Sequence, residues 1–288
     1  MNEILVIDIG GTKTNVSFIG LNSSKIAILS SDIFPTSSNP ENTISQISNI
    51  YASKEKTVNQ MSLSLPGKWN VEGVLKESFF LHDWLEYPFI ENLANELKIK
   101  NYVWETDVIC GALGEYNFSM ETYHGKSLLY INLGTGIGAA LIKDGKPFKS
   151  KDKLTLRMQK LVFPFQDELY AGVDLISGGN LLRVASYPTV EELYRDYKSS
   201  KVEAVDIISS SQNQLAAWII NLFYLFAPDL IILNGGLTYD WEVLAEEAVD
   251  IANEELEDQV QILPSQLKEQ APVYGAYFNY NMNSLAQL

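Results

Sequence analysis

The sequence has little sulfur and little histidine: one cysteine, Cys110, and two histidines, His82 and His124, among 288 residues. One thiol makes neither an internal disulfide nor a cysteine-based zinc site, and it fits a reducing compartment, so a cytoplasmic protein is expected. Base is scarce too. Lys plus Arg number 21 against 36 Asp plus Glu, a formal net charge of −15. Neutralising nucleic-acid phosphates needs a cationic surface, so general nucleic-acid binding is excluded. Long apolar runs are missing. The longest, around Leu215 to Phe226, is interrupted by Asn221 and runs into Ala227-Pro228. It is too short and broken for a bilayer span, and the opening MNEILVIDIGG carries no basic segment of a secretory signal, so no membrane partner is expected. Two phosphate fingerprints are also absent: there is no GxxxxGK[ST], and no GxGxxG that follows a strand and opens a helix. Any phosphate site here is of another type.

What is present is an ordinary globular composition, 46% apolar and 20% charged, at a length that favours two modest domains. Ile4–Ile9 and Asn15–Ile19 read as strands joined by the hairpin-type turn Gly10-Gly11-Thr12-Lys13. A third short strand is expected at Lys25–Leu29, then a helix at Ile44–Tyr51, a strand at Met61–Leu65 before Pro66-Gly67, a helix at Glu91–Leu97, a strand at Tyr102–Glu105 and a helix at Val108–Tyr116. Leu128–Leu133 and Ala139–Lys143 are strands around the glycine turn Gly134–Gly138. Leu215, Trp218, Ile219, Leu222, Phe223 and Phe226 recur at helical spacing until Pro228, and Leu230–Leu233 is an apolar strand running into Asn234-Gly235-Gly236. Trp241, Leu244, Ala248 and Ile251 mark a helix whose other face holds most of nine acids and no base, a solvated face.

The pattern of strand and glycine turn occurs twice, in IDIGGTKTNVSF at 7–18 and INLGTGIGAALI at 131–142, which suggests two related α/β halves. A turn without Cβ atoms lets the backbone approach a ligand, and its successive N–H groups can form a concave anion site. Either turn alone is equally well a structural hairpin. Two of them could grip a polyphosphate, with Thr12 and Thr135 adding hydroxyl donors and Asp8 holding a water of a magnesium ion.

The segments DIGGTK (8–13), LPG (65–67), ETDVICGALGE (105–115), LGTGIG (133–138), PDLIILNGGL (228–237) and GAYFNY (275–280) together resemble the ROK family, within the actin-like ATPase and hexokinase fold. The resemblance covers most of 4–143 and 215–288. It implies a two-lobed, ribonuclease H-like α/β fold, each lobe a mixed sheet flanked by helices. The N-terminal lobe would span 1–107, with the helix 276–288 packing back on it, and a larger C-terminal lobe would span 108–275. It implies transfer of the γ-phosphate of ATP to a hexose hydroxyl with Mg2+, in a small-molecule kinase that forms a homodimer. Gly10, Gly11, Thr12 and Lys13 match the first phosphate loop, Gly134, Thr135 and Gly136 the second, and Gly235 and Gly236 the turn against adenosine. Asp107 matches the catalytic base, whose alternative reading is a helix N-cap for 108–116. Gly67 and Thr106 fall on the sugar side.

The chain departs from the family's pattern in two places. Thr106 stands where members carry a sugar-binding Asn. Residues 144–176 contain no His and no Cys, so the family's structural zinc and its sugar-linking histidine are not expected. Glu168 and Asp174, with Asp167, are the nearby acids that could replace the missing acidic sugar ligand. Lys143, Lys146, Lys149, Lys151, Lys153, Arg157 and Lys160 crowd the replacement stretch, as a solvated loop or as an attractor of an anionic substrate. A catalytically weak sugar or nucleotide sensor is the alternative to an active kinase. The DNA-binding repressors of the family carry a helix-turn-helix before the first phosphate strand, which here begins at residue 4.

Overall fold

The computed structural model describes residues 3–23, 25–54, 58–150, 156–165, 167–257 and 259–285. Two compact units divide it: Met1–Phe118 with Gln270–Leu288, and Ser119–Glu269.

The first unit opens with β1 (Ile4–Ile9), β2 (Lys13–Asn22) and β3 (Lys25–Pro35), an antiparallel meander. Helix α1 (Pro40–Ser53) leads to β4 (Gln60–Leu65), the short β5 (Lys68–Trp69) and β6 (Leu75–Glu77), then α2 (Phe89–Leu97), β7 (Asn101–Thr106) and α3 (Asp107–Phe118). The sheet order is β3-β2-β1-β4-β7, with β1, β4 and β7 parallel. Of β1's residues only Asp8 is not buried, as a central strand covered on both faces requires. Asn39 caps α1 by accepting the Glu41 N–H at 2.8 Å, and Pro40 occupies the first helical position, where its missing N–H costs nothing. One face of the sheet packs on α1 and α2 through residues such as Leu5, Ile7, Leu63, Ile47, Trp84 and Phe89.

The second unit begins with the single turn α4 (Met120–Tyr123), followed by β8 (Leu128–Leu133), β9 (Ile137–Lys143) and β10 (Lys146–Pro147). A hairpin of β11 (Val162–Phe165) and β12 (Glu168–Ala171) precedes α5 (Val173–Ile176), α6 (Gly178–Ala185), α7 (Val190–Lys198) and the long α8 (Val202–Phe226). Strand β13 (Leu230–Asn234), helix α9 (Trp241–Leu256) and β14 (Gln261–Pro264) complete it. The order is β10-β9-β8-β13-β14, with β8, β13 and β14 parallel and β9 antiparallel to β8. Its core runs from the sheet through Trp218, Leu222, Leu244 and Ala248 of α8 and α9. No helix of the described residues is long and apolar enough to cross a membrane.

The chain then returns to the first unit as α10 (Ala271–Leu285), which packs on α3 and on the β1–β4–β7 face. The two helices meet backbone to backbone. A Cβ on Gly275 would overlap the carbonyl of Cys110, and one on Gly114 would overlap that of Ala271. Interaxial distance is set by the side chains at the contact, and the two glycines contribute none.

The structure differs from the sequence reading in extent more than in kind. Strand β3 runs on to Pro35 instead of stopping at Leu29, because Ser30, Ser31 and Asp32 complete a ladder with β2. Helix α8 starts at Val202 rather than near 215, and the strand after the second glycine turn starts at Ile137 rather than Ala139. The boundary expected after residue 107 differs by one helix, since α3 is held in the first unit by α10. Lys151 and Lys153 of the basic stretch, and residues 286–288 of the expected last helix, lie outside the described residues.

Candidate functional site

In the first unit, the parallel strands bring three motifs to one sheet edge. Asp8 of β1 pairs with Ser64 of β4, and Ser64 pairs with Glu105 of β7; Leu65 pairs with Thr106. Asp107 follows immediately as the first residue of α3. The DIGGTK, LPG and ETD segments therefore end side by side at the carboxyl ends of their strands, where open α/β sheets bind ligands.

Each expected residue has a defined surrounding there. The Ser64 hydroxyl donates to Asp8 Oδ1 at 2.6 Å. The first glycine turn is closed by the Gly10 N–H on the Lys13 carbonyl at 2.8 Å. Thr36 braces it from outside, donating its N–H to the Thr12 carbonyl at 3.0 Å and its hydroxyl to that of Gly10 at 2.9 Å. Thr12 and Lys13 are exposed at its tip. Gly67 has φ +87° at the start of the β5–β6 hairpin, and Thr106 is buried with its N–H on Glu105 Oε1 at 2.9 Å.

Asp107 is neither fully buried nor free. Its carboxylate accepts the N–H of Val108 at 2.9 Å, while part of it remains open to solvent. A usual N-cap reaches two or three residues on, so this contact holds the side chain at the helix start without the standard cap. Its surroundings raise the pKa from 3.8 to about 7, chiefly by desolvation and then by the charge of Asp8, against the lowering contact with the Val108 N–H. Asp8 itself is raised to about 6 by desolvation, opposed by the Ser64 hydroxyl and by Lys13. The Cys110 thiol beneath them is pushed well up by burial first, and then by the charges of Glu105, Asp8 and Asp107.

The second unit builds its own turn cluster. The second glycine turn is closed by the Gly134 N–H on the Gly136 carbonyl at 2.9 Å. Behind it sits the N-terminus of α6. Gly178 donates its N–H to the Gly134 carbonyl at 2.9 Å and Gly179 to that of Thr135 at 3.0 Å, while Ser177 caps the helix on the Asn180 N–H. A third glycine pair closes the cluster. Gly235 has φ +99°, and any Cβ there would overlap the backbone of Leu133 at the end of β8, whereas one on Gly136 or Gly236 would meet nothing within 4 Å. These two positions line open space. In the sequence Ser177-Gly178 is no more than a landmark; the signal that points to this backing is the second glycine, Gly179, at a helix start.

The acids expected to replace the missing sugar ligand belong to this unit. Glu168 is exposed on β12, where Tyr170 donates its hydroxyl to it at 2.8 Å, and Asp174 is exposed on the single turn of α5. Asp167, also exposed, occupies the turn between β11 and β12 with φ +65°. Among the described residues no three His, Cys, Asp or Glu side chains gather as a metal site. The donor set at Asp8 nevertheless suits Mg2+, which keeps most of its waters and takes one or two carboxylates with phosphate oxygens.

The fold that carries these residues is shared with known structures. The ROK family glucokinase from Streptomyces griseus, solved with glucose and AMPPNP, matches with a TM-score of 0.76 over 96% of this chain and 98% of that one, at 20% identity. At that identity the likeness defines the fold: the actin-like hexokinase fold, in which each unit is a mixed sheet flanked by helices. The sequence profile of the ROK family matches residues 4–152 and 181–280. The protein belongs to the ROK family.

Relatives differ in how much of them is matched. The glucokinase of Thermotoga maritima is 22% identical over 309 aligned positions, spanning 95% of this chain and 96% of its own length. The N-acetyl-D-glucosamine kinase of Vibrio parahaemolyticus is 27% identical, over 83% of this chain and 86% of its own. A Bacillus subtilis protein with a provisional fructokinase name is 28% identical over 162 residues, so the chain spans about half its length, 53%.

Proposed function

We propose that the protein is an ATP-dependent sugar kinase that phosphorylates a hydroxyl of a hexose or hexose derivative. The observation that carries this reading is Asp107: a carboxylate held beside Asp8 at the carboxyl ends of parallel strands, with a pKa near 7. A general base works best when its pKa lies near the working pH, because it is then substantially ionised and still basic enough to take a proton. Family membership and the sugar kinases among the relatives support the same reading.

Phosphoryl transfer is mostly positioning and charge neutralisation. Asp107 accepts the proton of the attacking sugar hydroxyl as that oxygen bonds to the γ-phosphorus. The bond from the γ-phosphorus to the β–γ bridging oxygen breaks, and ADP leaves with that electron pair. Gly67 and Thr106, adjoining Asp107, are assigned to the sugar. Gly10, Gly11, Thr12 and Lys13 of the first unit and Gly134, Thr135 and Gly136 of the second are assigned to the phosphates; Gly235 and Gly236 are assigned to the adenosine. Asp8 would hold Mg2+ through water, and the ion would supply charge neutralisation at phosphate oxygens.

The test is ATP turnover against a panel of hexoses and N-acetylhexosamines, comparing the native chain with Asp107→Asn. Phosphorylation of at least one sugar by the native chain, lost in the variant, is the expected result. Turnover that the variant matches, or a panel on which nothing is phosphorylated, ends the reading.

A further inference from the structure

The segment Ser78-Phe79-Phe80, after β6, crosses the sheet edge that carries Asp8 and Asp107. At one end Ser78 lies against Gly67: a Cβ there would be 3.4 Å from the Cβ of Ser78 and 2.5 Å from the carbonyl of Glu77. At the other end Phe80 covers the first glycine turn, since a Cβ on Gly11 would come within 2.5 Å of its ring. Gly67 follows β4, whose Leu65 pairs with Thr106; Gly11 follows β1, which carries Asp8. Phe79 sits between these two contacts and is 76% exposed.

The segment is held in place. The Ser78 hydroxyl accepts the N–H groups of Phe80 at 3.3 Å and Leu81 at 3.1 Å, a side-chain turn that fixes the backbone around Phe79. Leu81 and Trp84, both buried, anchor the chain beyond it in the core; Trp84 stacks on Phe89 with ring centroids 4.3 Å apart and donates its indole N–H to the Ser37 carbonyl at 3.1 Å. Phe80 meets Phe79 edge to face at 4.9 Å. An exposed phenyl ring on so constrained a turn costs little entropy when a ligand packs on it.

We infer that Phe79 is a specificity-determining residue for the acceptor, a platform for the C–H face of a pyranose ring. This rests on the sugar-kinase reading and names the substrate class within it. A pyranose with mainly equatorial hydroxyls presents axial C–H bonds as an apolar face that an aromatic ring can cover, whereas a compact polyol or an axially substituted ring offers less such surface. The preferred acceptor is therefore a gluco-configured pyranose or its 2-acylamino derivative.

The experiment measures sugar KM, ATP KM and kcat, together with calorimetric binding of glucose and N-acetylglucosamine, for the native chain, Phe79→Ala, Phe79→Tyr and the control Ile33→Ala, an exposed apolar truncation on the edge strand β3. The expected result is a rise of about tenfold in sugar KM or Kd for Phe79→Ala, with ATP KM unchanged, recovery in Phe79→Tyr, and no effect of the control. Native kinetics with a Phe79→Ala sugar KM within twofold overturns the platform and leaves the kinase standing. Phe79-dependent sugar binding without turnover overturns the kinase and leaves the platform. Absence of glucose and N-acetylglucosamine binding overturns the platform, and overturns the kinase as well when nothing on the panel of hexoses and N-acetylhexosamines is phosphorylated.

Discussion

The two glycine turns look alike in sequence and differ in what surrounds them. The first, Gly10–Lys13, lies among ionisable side chains: Asp8 and Lys13 beside it and Asp107 on the same sheet edge, with the Phe80 ring over Gly11. The second, Gly134–Gly136, is backed by main chain, namely the N–H groups of Gly178 and Gly179 at a capped helix start and the close approach of Gly235 to Leu133. In each turn the first N–H is taken up internally, Gly10 on the Lys13 carbonyl and Gly134 on that of Gly136; the proposed function gives the remaining N–H groups to an anion. Only the first adds groups able to move a proton. Under the proposed function the first turn serves a chemical centre and the second an anchor, so substitutions at the two should produce different kinetic signatures.

The sharpest contrast is Asp107→Asn, which should lower kcat by about 10²–10⁴ while leaving nucleotide Kd within a few-fold, as read by steady-state kinetics and calorimetry. The same variant should change stability in a pH-dependent way. Because the folded-state pKa of Asp107 is raised from 3.8 to about 7, its stabilising contribution is full below the unfolded value and is lost as pH rises through the folded value. Asp107→Asn should therefore melt higher than the native chain at pH 8, with the gap closing toward pH 4; parallel melting curves across that range would contradict the assigned pKa.

Gly235→Ala probes the anchor. It forces a Cβ into the Leu133 backbone at φ +99°, strain of about 1–3 kcal/mol, and should raise ATP KM about tenfold with a smaller change in sugar KM. Gly178→Ala is gentler, with its Cβ 2.9 Å from the Gly134 carbonyl. Moving that carbonyl should raise ATP KM about threefold, a loss of well under 1 kcal/mol of binding, and leave the pH profile unchanged. The smallest effect concerns the chemical centre: Asp8→Asn removes the like charge that helps hold Asp107 up. In metal-free protein the Asp107 carboxyl, followed by carbon NMR, should then titrate at lower pH than in the native chain; an unmoved titration would separate the two carboxylates electrostatically.

Much of the scaffold was legible from local pattern. The runs ILVIDI and LLYINL are too apolar to be anything but interior strands. Each ends at glycine, and Asp107 at a strand-to-helix junction is where open sheets place their chemistry. Less legible was anything that polar residues do once a neighbour supplies the compensating contact. Ser30, Ser31 and Asp32 lie beyond the expected end of the third strand at Leu29 but extend β3, because pairing with β2 satisfies their backbone. Ser209 to Gln214 precede the expected helical pattern, which begins at Leu215, yet they belong to α8, with Ser211 bonding back to the Ile207 carbonyl and Gln212 reaching the Val243 carbonyl of α9.

At the site, the amino-acid order alone determined which residues end their strands in glycine or carboxylate, since strand period and turn chemistry are local properties. Three things waited on the fold: that Ser64 meets Asp8, that Phe80 lies on Gly11, and that Gly178 and Gly179 brace the second turn. Each joins residues more than forty positions apart. Sheet register and close packing alone set such distances, and the desolvation that brings Asp107 near neutrality arises from the same packing.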